Sequence, residues 1–191
     1  MRRFAVPMVL GALAMTAVTS RAEAQPNIFF GGGPSFATGD FGDVAKNGWL
    51  LQGGIGLDIG SRGLFIEAEG FFGSHSHENL INPNAKEKTN IIAFMGALGY
   101  SFGADDAKVS PYVLAGVGML GQQFRTDVDA DADLEQTENE FGYTGAVGLS
   151  FRLNEKARFW VEARYLGASG IGLIPLAAGV SITLGGGGGG M

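Results

Sequence analysis

Seven charged side chains fall on one face of segments that otherwise alternate between oily and small residues. They are Asp58, Glu67, Glu69, Arg152, Arg158, Glu162 and Arg164. A strand sends successive side chains to opposite faces, so each of these charges opposes an apolar row. In a narrow enclosed space such charges must meet one another, because buried charge is tolerated only when paired and hydrogen-bonded. The spacing predicts a carboxylate–guanidinium cluster centred on Glu67, Glu69, Glu162 and Arg164. Two roles follow for it: a plug that fixes strand register, or a gated path for ions.

Three other constellations could carry chemistry. Asp127, Asp129, Asp131, Asp133 and Glu138 stand at positions 1, 3, 5, 7 and 12 of one segment. That is the oxygen spacing of a calcium loop, and Ca²⁺ is the one cofactor the sequence suggests. Position 6 is Ala132, where the sharp turn needs glycine, so the competing reading is a solvated acidic loop. His75 and His77, with Glu78, are expected in a loop, and no spacing supplies a third metal ligand. Gly116 to Gly121 matches G-x-G-x-x-G, but no helix follows it and the glycines suit a strand interior. A hydrolase would need a histidine base beside a nucleophile. Only His75 and His77 are available, and no motif sets a serine next to them, so the expectation is no enzyme and no catalytic residue.

The elements that position these residues read as eight strands. Trp49, Leu51, Gly53, Ile55, Leu57 and Ile59 alternate with Leu50, Gln52, Gly54, Gly56, Asp58 and Gly60. The same pattern recurs over Asn27–Phe36, Leu64–Ser74, Thr89–Phe102, Ser110–Phe124, Phe141–Leu153, Ala157–Leu166 and Ile174–Leu184. Charge in mid-strand on the non-oily face predicts oil outward and polarity inward. Connections alternate: long after strands one (37–47), three (75–88) and five (125–140), short after two, four and six. The link after strand seven (167–173) is the short member of the long side. Phe36, Trp49, Phe72, Phe102, Phe141, Phe151 and Tyr165 lie near strand ends, where interfacial aromatic girdles sit. Glycine supplies 33 of 191 residues. In a narrow barrel small inward residues make room for a few large ones.

Residues 1–24 read as a signal peptide: Arg2 and Arg3, an uncharged run from Phe4 to Val18, then Ala22-Glu23-Ala24. Residues 25–184 form one expected domain, and 185–191 a glycine-rich tail. No later apolar run approaches the length of about 18 residues needed for a spanning helix, so a membrane span must be a closed barrel. Without Arg2, Arg3, Arg21 and Glu23, the 13 basic and 19 acidic side chains fall to 10 and 18. The resulting net charge of −8 argues against nucleic acid as a partner. Cysteine is absent, which excludes disulfides and thiolate chemistry.

Three stretches carry a family resemblance: Pro111 to Gly118, Gly145 to Leu149, and Trp160-Val161-Glu162-Ala163-Arg164-Tyr165. With the signal peptide, they resemble the small eight-stranded outer-membrane β-barrels of the OmpA-like and OmpX-like group. The resemblance implies an all-β, antiparallel up-and-down transmembrane barrel in the outer membrane of a Gram-negative-type bacterium. It implies outer-membrane lipid and lipopolysaccharide as surroundings, the barrel-assembly machinery as a partner in biogenesis, and a monomer. The family usually ends its last strand on an aromatic residue, whereas here the strand ends Ile182-Thr183-Leu184 and a glycine tail follows. The expected role is envelope structure or surface interaction through loops. One alternative resembles the OmpW-like transporters, hinted at by apolar Leu114, Leu120 and Phe124. Another is a soluble lipocalin-like binder, with the oily face turned inward.

Overall fold

A computed structural model of the chain describes residues 26–59, 63–77, 87–103, 107–126 and 136–184. The expected signal peptide, the glycine tail and Asp127, Asp129, Asp131 and Asp133 lie outside the described residues.

Eight strands follow in order: β1 (Pro26–Thr38), β2 (Gly48–Asp58), β3 (Leu64–His77), β4 (Glu87–Ser101), β5 (Val109–Thr126), β6 (Gln136–Arg152), β7 (Ala157–Ala168) and β8 (Ile171–Thr183). Each pairs antiparallel with its sequence neighbour, and β1 pairs with β8 to close the barrel. Closure leaves no strand edge, which a sheet in hydrocarbon requires.

The side-chain alternation resolves as predicted. Phe30, Leu51, Phe94, Leu98, Val117, Phe141 and Val147 are exposed on the outer wall, while Leu50, Ala93, Met95, Leu114, Ala146 and Trp160 are buried inside. The lipocalin-like reading needs the opposite parity and is overturned by this arrangement. Aromatic pairs mark both ends of the outer wall. Trp49–Phe72 and Tyr143–Tyr165 stand toward the long-loop end, at 5.5 and 5.9 Å between ring centroids. Tyr100–Phe102 and Phe151–Phe159 stand toward the turn end, at 5.0 and 6.1 Å.

The strands reach further than the periodicity suggested, because the backbone ladder continues where alternation fades. β3 runs through His75 and His77, so these histidines are strand residues rather than loop residues. β6 begins at Gln136, so the backbone of Glu138 is paired with Gln122 of β5. The link from β7 to β8 is only Ser169-Gly170, with Gly170 at φ 71°, a left-handed position that glycine occupies without strain. The first long connection contains a short helix, α1 (Gly39–Val44), entered through Gly39 at φ 62°.

The interior is layered. Near the long loops, Phe41 of α1 joins Leu50, Phe71, Ile91, Leu120, Leu166 and Leu173 in an apolar plug. Nearer the turns, Phe29, Trp160 and Ala177 form one cluster, and Leu114, Ala97 and Ala146 another. Polar side chains occupy the layer between.

Candidate functional site

The polar layer is built around β7. Four of its inward residues, Trp160, Glu162, Arg164 and Leu166, are buried. Trp160 fits because Gly31 and Gly179 beside it have no side chain; a Cβ on either would strike its ring. That allows the next two inward residues to project into the barrel centre.

Arg164 reaches across the lumen. Its Nη2 lies 2.8 Å from Oε2 of Glu69, and its Nη1 donates to Oε1 of Glu69 at 3.0 Å. Its Nε donates to Oε1 of Glu162 at 2.7 Å, and Nη2 to Oε2 of Glu162 at 3.3 Å. The guanidinium also sits 5.0 Å from the centre of the Phe71 ring. Bidentate guanidinium–carboxylate geometry is the strongest pairing side chains offer. Here Glu162 takes it, while Glu69 accepts one hydrogen bond from Nη1 and holds its Oε2 against Nη2 as an ion pair.

Glu162 gathers two further donors. Gln52 Nε2 donates to its Oε1 at 3.2 Å, and the Tyr112 hydroxyl to its Oε2 at 3.0 Å. Arg164 Nη1 also approaches Thr144 Oγ1 at 3.5 Å. Five strands (β2, β3, β5, β6 and β7) thus meet in one hydrogen-bonded knot. One guanidinium faces two carboxyl groups, and the neutral donors around Glu162 meet its remaining acceptor capacity. An eight-stranded interior is only wide enough for side chains to fill.

Of the seven predicted charges, the structure brings three together: Glu69, Glu162 and Arg164. Glu67 shares their face but is only half-buried. Asp58 and Arg152 are exposed, and half-buried Arg158 donates from Nη1 to Ser110 Oγ at 3.4 Å. By parity these last three share the inward row, and they lie at the turn end of their strands, outside the central cluster. Gln52 and Tyr112 were not predicted as members. Their inward parity was the available signal, and charge alone drew the prediction elsewhere.

A second contact departs from expectation. His75 is fully buried, and its Nε2 lies 3.2 Å from the Ser35 hydroxyl, also fully buried. A serine therefore does stand beside a histidine, brought there by strand register across β2 rather than by a sequence motif. Nδ1 of His75 has no hydrogen-bond partner, so nothing orients the ring as a catalytic base. Among the described residues no group of His, Asp and Glu is placed to hold a metal ion. Leu114 and Leu120, the sequence hints of a transport route, belong to the packed lumenal clusters.

The model of the outer membrane protein β-barrel domain matches residues 6–183. The chain belongs to that family. It is therefore a protein of the Gram-negative outer membrane, crossing it with strands. Neisserial surface protein A is similar in fold, with a TM-score of 0.62 at 15% identity, covering 83% of this chain and 97% of that one. Ail, the attachment invasion locus protein of Yersinia pestis, solved with the heparin analogue sucrose octasulfate, gives 0.60 at 12% identity, covering 85% and 100%. OprG of Pseudomonas aeruginosa gives 0.53 at 15%, covering 85% and 98%. No curated protein matches the sequence.

Proposed function

We propose that this barrel is a non-enzymatic protein of the cell surface, serving envelope structure or surface interaction through its long loops. The Arg164 knot carries the reading. It fills the middle of the lumen with paired groups, so the interior acts as a plug and activity belongs to the outer rim. Neisserial surface protein A and Ail, named for the surface and for attachment, point the same way.

The loop chemistry narrows the partner. Residues 127–135 hold five carboxylates in nine positions and no base. Such a segment repels a polysulfated glycan and attracts basic protein surfaces. The test uses the folded protein in nanodiscs, presented with polylysine and with heparin. Polylysine binding that weakens with salt and disappears when the four aspartates become asparagine supports the reading. Heparin binding that survives that change overturns it.

One observation favours a second reading, an OmpW-like carrier of apolar molecules. Odd-numbered residues of β8 bond to β7, as Thr183 N donates to Lys156 O, and even-numbered ones to β1, as Leu184 N donates to Pro26 O. In that register Pro175 stands opposite Arg164 and Pro34 opposite Leu176. Neither proline has an N–H to give. The paired residues accordingly skip from Ala163↔Leu176 to Leu166↔Leu173, and from Gly32↔Ala178 to Ser35↔Pro175. The wall is thus weakened on both sides of β8, beside the apolar plug. Uptake of an apolar dye into vesicles tests this route.

A further inference from the structure

We infer that the first extracellular loop is an acid-released plug, held in the barrel mouth by Phe41 packed against neutral His75. The loop is not draped outside. Phe41 of α1 is buried in the apolar cluster with Leu50, Leu120, Leu166 and Leu173. Its ring meets His75 edge-on at 5.6 Å and His77 at 6.1 Å. The return of the loop is pinned at the same place. Ala45 bridges to His77, and Lys46 N donates to Ser76 O at 2.7 Å. The two histidines therefore sit at the junction between plug and wall.

The two are not equivalent. His77 is half-buried, and its Nε2 is within hydrogen-bond distance of Thr89 Oγ1, at 2.5 Å. His75 has no exposure, its hydroxyl partner is Ser35, and its Nδ1 is buried without a partner. A proton added there creates a cation with an N–H facing no acceptor. The charged groups around it do not answer that cation where they stand. Asp40 and Asp43 of α1 are exposed, as are Lys46 before β2 and Lys88 of β4. Glu87 lies at the same end of β4, its backbone paired with His77. β1 and β8 carry no titratable side chain, and β2 carries only Asp58 at its far end. Glu69, six residues along β3, is engaged by Arg164. A buried unpaired charge is relieved by letting water in or by moving out. The part free to move is α1, a single short helix entered through Gly39, whereas β3 is locked in the barrel.

The experiment is NMR of the barrel in lipid nanodiscs, from about pH 7.5 to about pH 5, the range in which imidazole changes charge. It follows the ring signals of both histidines and the amides of Phe41, Ala45 and Lys46. The expected result is that the three amides shift with the His75 titration, and that exchange of the Lys46 amide rises about tenfold as the loop opens. His75→Gln, which keeps a polar group but cannot charge, abolishes the transition, and His77→Gln retains it. Three results overturn the proposal: His75 charges while the loop stays in place, the ring never charges in the folded barrel, or the loop moves equally in His75→Gln. If His75→Gln fails to fold on a heat-modifiability gel, Phe41→Ala carries the test. The loop is then released already at neutral pH, and a loop still pinned in that variant overturns the proposal.

Discussion

Arg164 on β7 and Glu69 on β3 meet at 2.8 Å although four strand-to-strand steps separate them in either direction around the barrel. The pair therefore spans the diameter. Salt bridges along a wall reinforce a ladder that already exists. This one links opposite walls across the lumen.

Removing one partner of such a pair strands the other in a buried site. Arg164→Ala should cost about 3–5 kcal/mol, because two carboxylates lose their counter-charge together. Glu69→Gln should cost less, since Arg164 keeps Glu162. Urea unfolding in lipid vesicles, followed by gel mobility, ranks the two. Equal costs would mean that Glu69 alone holds the arginine and that Glu162 adds nothing.

Trp160 depends on the glycines under it. A Cβ at Gly179 would meet the Trp160 ring and the Phe30 carbonyl, whereas one at Gly96 meets nothing within 4 Å. Gly179→Ala should destabilise the barrel by about 1–3 kcal/mol, the usual cost of overpacking. Gly96→Ala should fall within about 0.5 kcal/mol of the parent. The folded fraction on an unboiled gel reads both.

The sequence carried this architecture well because one face of every strand meets oil and the other a crowded lumen. Period-two alternation survives even where glycine replaces larger residues, as from Trp49 to Gly60. The strand ends were less legible. His75 and His77 are polar and resemble loop residues, yet backbone pairing of β3 with β4 continues through them. Phe41 gave no signal as a plug residue, because a loop folding back into a barrel has no periodicity. The ionic cluster was legible as a set of faces. Which charges meet depends on height along the barrel axis. Strand tilt fixes that height, leaving Asp58 and Arg152 at the rim and Arg164 at the centre.

The prolines beside β8 give a separate expectation. If apolar molecules pass through the wall there, Pro175→Ala restores a donor for the Arg164 carbonyl and slows dye uptake into vesicles. Unchanged uptake in Pro175→Ala and Pro34→Ala together would remove the carrier reading.

The acidic segment yields a direct titration. As a solvated surface loop, it should give no heat with calcium at millimolar concentration in calorimetry of the nanodisc protein. A saturable exotherm lost on changing Asp127, Asp129, Asp131 and Asp133 to asparagine would establish the cation site instead.

The central claim is that the lumen is closed by the Arg164 knot. Planar-bilayer recording of the purified, folded protein tests it most directly. The account predicts no steady open conductance in the parent barrel and measurable cation-selective openings in Arg164→Ala, where the carboxylates are left unpaired. A steady ohmic current in the parent protein, unchanged by Arg164→Ala, would contradict it and make the barrel a pore.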